Sequence, residues 1–84
     1  MDDVPAEDVR AWLIANFPHD LPKAERHYGV DEDLRQICED LAEATRALRY
    51  WHAKGDPAPG RAQEYRHLVE ELGAELKAYL DTIA

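Results

Sequence analysis

The sequence predicts an all-α protein, a small helical bundle built on one long antiparallel helix hairpin. Three observations carry that reading. Apolar residues in two long stretches, about 31–54 and 61–83, recur at the 3, 4, 7 spacing of a single helix face. Between them lies Gly55-Asp56-Pro57-Ala58-Pro59-Gly60, a helix stop and a turn in one. Ala, Leu, Glu and Arg dominate while β-branched residues are few, which disfavours strands. A shorter N-terminal helix at about 5–17 and a one-to-two-turn helix at about 21–28 complete a single domain of 84 residues.

The N-terminal helix is expected to begin at Pro5, since proline suits the first helical position, where its missing N–H would have no partner. Glu7 and Asp8 complement the positive end of the helix dipole, and Pro18 stops the helix by restricting Phe17. Val9, Trp12, Leu13 and Phe17 form its apolar face. Ile14 falls off that face by more than about 90°, so this helix offers apolar surface on two sides. In the short helix, Asp20 is the expected cap, Pro22 lies in the first turn, and Gly29 is expected in the left-handed position that ends it.

The first long helix is expected to be capped by Asp31, with Glu32 and Asp33 in its first turn, and to carry Leu34, Ile37, Cys38, Leu41, Ala44, Thr45, Leu48 and Trp51 inward. The second carries Tyr65, Leu68, Val69, Leu72, Leu76, Tyr79, Leu80 and Ile83. A short loop makes the two antiparallel neighbours. That register sets Leu48 near Tyr65, Ala44 and Thr45 near Leu68 and Val69, Leu41 near Leu72, and Leu34 near Tyr79 or Leu80. Gly73 borders the stripe. It either makes room for a bulky neighbour such as Trp12 or is a tolerated exposed glycine.

Chemistry is sparse. One cysteine allows no intrachain disulfide, and Cys38 reads as a buried small hydrophobe whose thiol pKa the neighbouring Glu39 and Asp40 would raise. Glu64-Tyr65-Arg66-His67 has the Glu-x-x-His spacing of di-iron bundles, but His67 lies about 200° from Tyr65, on the solvent side. His52 suits the carbonyl end of its helix. His19 and His27 lack the spacing of a structural zinc site. No cofactor or metal is expected, and the chain reads as a non-enzyme. No apolar run approaches the ~20 residues of a membrane span, and the acidic N-terminus is unlike a signal peptide. With the lone cysteine, this points to the cytoplasm.

Charge is unevenly spread within a net −8. Residues 1–45 carry −8, residues 46–67 carry +3 and residues 68–84 carry −3. The hairpin's loop end is therefore basic, and its other end, where the N-terminal helix is expected to gather, is acidic. Arg46 and Lys54 stand four residues either side of Tyr50, making an outward basic-aromatic strip with Arg49, the composition of a binding hot spot. The alternative is a surface tyrosine covered by its neighbours' alkyl stems.

The N-terminal helix is too short to cover the hairpin, so the ends carrying Leu34, Leu76, Tyr79, Leu80 and Ile83, or the flank with Leu48 and Trp51, are expected to stay partly exposed. A second copy, closing a four-helix bundle, or a dedicated protein partner would cover them. The function expected is thus a non-catalytic protein-interaction module, with Arg46, Arg49, Tyr50, Lys54, Trp12 and Ile14 as partner-binding residues. The alternative is a nucleic-acid-related protein, touching nucleic acid through the basic hairpin end or imitating it with the acidic face. The net charge argues against nucleic acid as the partner.

Overall fold

The computed structural model describes residues 4–55 and 60–83. Four helices follow one another: α1 (Glu7–Asn16), α2 (Leu21–Tyr28), α3 (Glu32–Ala53) and α4 (Arg61–Thr82), with a 3-10 turn, Pro18–Asp20, joining the first two. Helices α3 and α4 form the long hairpin, and the shorter N-terminal helices pack against it. The expected Asp56-Pro57-Ala58-Pro59 turn lies outside the described residues. The flanking glycines are described: Gly55 (φ 77°) and Gly60 (φ 111°) hold left-handed backbone that other residues rarely adopt.

The start of α3 is built as its sequence dictates. Asp31 Oδ1 accepts from the Leu34 N–H at 3.0 Å, satisfying one of the four unpaired donors of the first turn. The same carboxylate also accepts from the Tyr79 hydroxyl at 2.8 and 2.7 Å, so one side chain both caps α3 and ties it to the end of α4. This link and the shared groove of Ala44 with Leu68 place the hairpin in the expected register.

Several N-terminal expectations are corrected. Helix α1 begins at Glu7 rather than Pro5, because Ala6 is extended (ψ 154°) and its carbonyl accepts from Val9 and Arg10, both at 3.0 Å. Pro5 is buried just ahead of it. Phe17, with φ −143° and ψ 67°, leaves the helix before Pro18 as expected. Asp20 does not cap α2. Its backbone is already right-handed in the 3-10 turn, and its carboxylate accepts from Lys77 Nζ at 2.8 Å instead. Gly29 is right-handed (φ −72°), not left-handed, because the turn into α3 continues the helical hand. His27 O accepts from Val30 at 3.1 Å and Asp31 at 3.0 Å.

The core joins α1, α2 and the lower half of the hairpin. Val9, Leu13, Ala24, Leu34, Leu41, Leu76 and Leu80 are all 0 % exposed. Leu34, Leu76 and Leu80, expected at a partly exposed end, are therefore buried, while Tyr79 and Ile83 at that end and Leu48 and Trp51 on the flank stay partly exposed. Helix α2 covers the end with these leucines and is pinned there by Lys23 Nζ, which donates to Leu80 O at 3.2 Å. Gly73 is buried under Trp12. A Cβ at position 73 would sit 2.8 Å from the ring's Cη2 and 2.9 Å from Cε2, with Cζ2 closer still, so glycine is what lets the indole lie on α4. Phe17 packs tilted against that ring at 5.7 Å between centroids.

Candidate functional site

Two surfaces of the hairpin bear on function, and they differ in how far the fold has already used them. The first is the basic-aromatic strip. Helix α1 packs on the lower, acidic half of the hairpin, but its first turn reaches up beside the last turns of α3. Asp8 forms ion pairs with Arg49 and, at 4.0 Å, with Arg46. From there α1 runs antiparallel to α3, past Gly73, until Phe17 lies under Lys77 Nζ, 5.0 Å from the ring centroid. Asp8 thus meets the basic hairpin end, and the charge dipole expected from the sequence is partly cancelled there.

The remaining strip stays open. Tyr50 is 54 % exposed, with Lys54 Nζ 5.6 Å above its ring and Trp51 edge-on at 5.3 Å. Arg61, at the start of α4, stacks on Trp51 at 5.2 Å. Of the two α1 residues expected to meet a partner, Trp12 is largely occupied by Gly73 and Phe17, whereas Ile14 is 58 % exposed. The six expected partner-binding residues therefore do not form one surface. Arg46 and Arg49 turn toward α1, Tyr50 and Lys54 toward the hairpin tip, and Trp12 into the packing.

The second surface was not legible as a site. On the flank of the hairpin that α1 and α2 leave bare, a groove of about 460 Å³ runs between α3 and α4, lined by Asp40, Glu43, Ala44, Ala47, Tyr65, Leu68 and Leu72. Leu68, expected to be inward, is 40 % exposed there. Small Ala44 and Ala47 on one wall face the larger Tyr65, Leu68 and Leu72 on the other, which makes a concave floor rather than a ridge. Asp40 accepts from Gln36 Nε2 at 2.9 Å, holding its carboxylate at the rim.

The titratable groups offer little for catalysis. Cys38 is buried, and desolvation, reinforced by Glu39, pushes its thiol up to about 12, so no thiolate forms near neutrality. His19, His52 and His67 are exposed, and His52 lies 3.4 Å from Arg66 Nη2 rather than against the carbonyl end of α3. Among the described residues no group of three or more His, Cys, Asp or Glu could hold a metal ion, and no helix is long and apolar enough to cross a membrane. Hydrogen bonds set the remaining shifts. The Tyr79 hydroxyl and the Leu34 N–H hold Asp31 below its usual value, Asp31 in turn pushes Tyr79 up to about 12, and Asp20 and Asp81 raise Lys77.

No family model matches this chain, and neither a curated protein nor a solved structure is similar to it.

Proposed function

We propose that this chain is a non-catalytic protein-interaction module, an adaptor, regulator or inhibitor that docks a protein through the bare flank of its hairpin. The observation that carries it is the groove between Ala44, Ala47, Tyr65, Leu68 and Leu72, an apolar floor left open on helices whose other flank packs against α1 and α2. Exposed apolar area of this kind costs about 25 cal/mol per Å² in water, a cost that docking removes. The buried, protonated Cys38 supports a structural role for the one thiol, and a free cysteine suits a cytoplasmic setting. The nucleic-acid reading has less behind it, since Asp8 already engages Arg46 and Arg49, two of the cations it would need.

Site-specific crosslinking tests the proposal. A photoreactive side chain installed at position 68 should give discrete protein adducts in cells, while the same group at Arg26, exposed on α2, should not. The adducts should disappear when Ala47→Arg fills the groove. Equal adducts at both positions, or none at 68, would overturn it.

A further inference from the structure

The pattern of charge along the groove identifies what fills it. Seven-residue steps return a helix to nearly the same face. From Ala47, one such step back along α3 reaches Asp40, and one step forward reaches Lys54, which caps the end of the helix with its ammonium over Tyr50. From Leu68, one step back along α4 reaches Arg61 and one step forward reaches Glu75. Asp40, Ala47 and Leu68 line the groove, and Lys54, Arg61 and Glu75 are exposed beyond it. Both walls therefore read acid, apolar, base along the same direction, with cations at the hairpin tip and carboxylates toward its base. The two apolar midpoints border one groove.

We infer that the occupant is a second copy of this chain, laid antiparallel across the groove on a two-fold axis that crosses it between the levels of Ala47 and Leu68. That axis stacks α3 on α3 and α4 on α4 of the other copy. It exchanges the ends of each wall, so Asp40 faces Lys54 of the other copy and Arg61 faces Glu75. Each pair occurs twice, as an isologous contact requires. Asp40 and Lys54 are 14 residues apart, about 21 Å along the helix, a span of four turns.

The alternative symmetric dimer, with its axis along the helices, stacks α3 on α4. It sets Lys54 beside Arg61 and Asp40 beside Glu75, like charge on like. The charge order thus selects both the copy and its direction, giving an antiparallel four-helix layer with α1 and α2 outside.

This inference rests on the groove being a docking surface and names its occupant. The test is sedimentation of the full chain and two charge-reversed variants. Wild type should associate to a dimer, and Leu68→Glu should abolish association while keeping the helical circular dichroism. Lys54→Glu and Asp40→Lys should each weaken self-association at least about tenfold at low salt, because each creates two like-charge pairs. An equimolar mixture of those two variants should recover the dimer, since every reversed residue then meets its opposite. Recovery is the outcome only the antiparallel arrangement gives. A wild-type chain that stays monomeric at sub-millimolar concentration, or a mixture that does not recover, would overturn the inference. Hetero-adducts from position 68 on a monomeric chain would overturn it too, while leaving the interaction module standing.

Discussion

The two flanks of the hairpin are made from the same two helices and have opposite fates. On the closed flank Leu34, Leu76 and Leu80 are 0 % exposed, roofed by α1 and α2 and tied down by polar links from Lys23 and Lys77. On the open flank Leu68 is 40 % exposed over a groove lined, among the described residues, by α3 and α4 alone. A long helix pair generates more apolar surface than two short helices can roof, and part of the surplus is gathered in this groove. The groove separates the part of the hairpin that holds the fold from a part left bare.

The largest expected effect lies on the closed flank. Leu76→Ala should cost about 3 kcal/mol in chemical denaturation, because the site is roofed from several sides and cannot collapse onto the void. If it cost no more than a surface change, the distinction between the flanks would fail. Gly73→Ala comes next. Overpacking against Trp12 should outweigh the helix propensity gained, for a net loss of about 1–2 kcal/mol. In a Trp12→Ala background the same change should reverse sign and stabilise by about 1 kcal/mol, and that double-mutant cycle isolates the indole as the cause.

On the open flank, Leu68→Ala should alter the stability of the isolated chain by only about 0.5 kcal/mol, measured at a concentration too low for association.

The smallest effect is a pH dependence at the base of the hairpin. Asp31 has a lowered folded-state pKa, so its contribution is full above the unfolded value of about 3.9 and is lost as pH falls through the lower folded value. Tyr79 and Lys77 are raised, so theirs is full below about 10 and is lost as pH rises, through about 12 for Tyr79. Urea midpoints should therefore be flat between these limits. Tyr79→Phe should lower the plateau and shrink both slopes.

The hairpin was almost fully legible in the sequence. Expected bounds of about 31–54 and 61–83 became Glu32–Ala53 and Arg61–Thr82, and the Asp31 cap and the register followed from local rules. What could not be read is which side α1 and α2 would take. Periodicity says which face of a helix turns inward, not what lies against it. The Asp8–Arg49 and Asp20–Lys77 pairs join residues 41 and 57 positions apart, and neither leaves a local trace. For the same reason Leu68 looked like a core residue: it has the right spacing but lacks a roof. The groove's signal was present, as Asp40-to-Lys54 and Arg61-to-Glu75 heptad steps, but it means something only once the two walls are known to share one flank.

The placement of the two tryptophans has an optical consequence. Trp12 lies on the backbone of α4 at Gly73, inside the roofed half, while Trp51 lies at the hairpin tip under Arg61. Each half of the molecule therefore carries its own intrinsic fluorophore, so emission from a single-tryptophan variant can follow the melting of the roof or the engagement of the tip separately, without any attached dye.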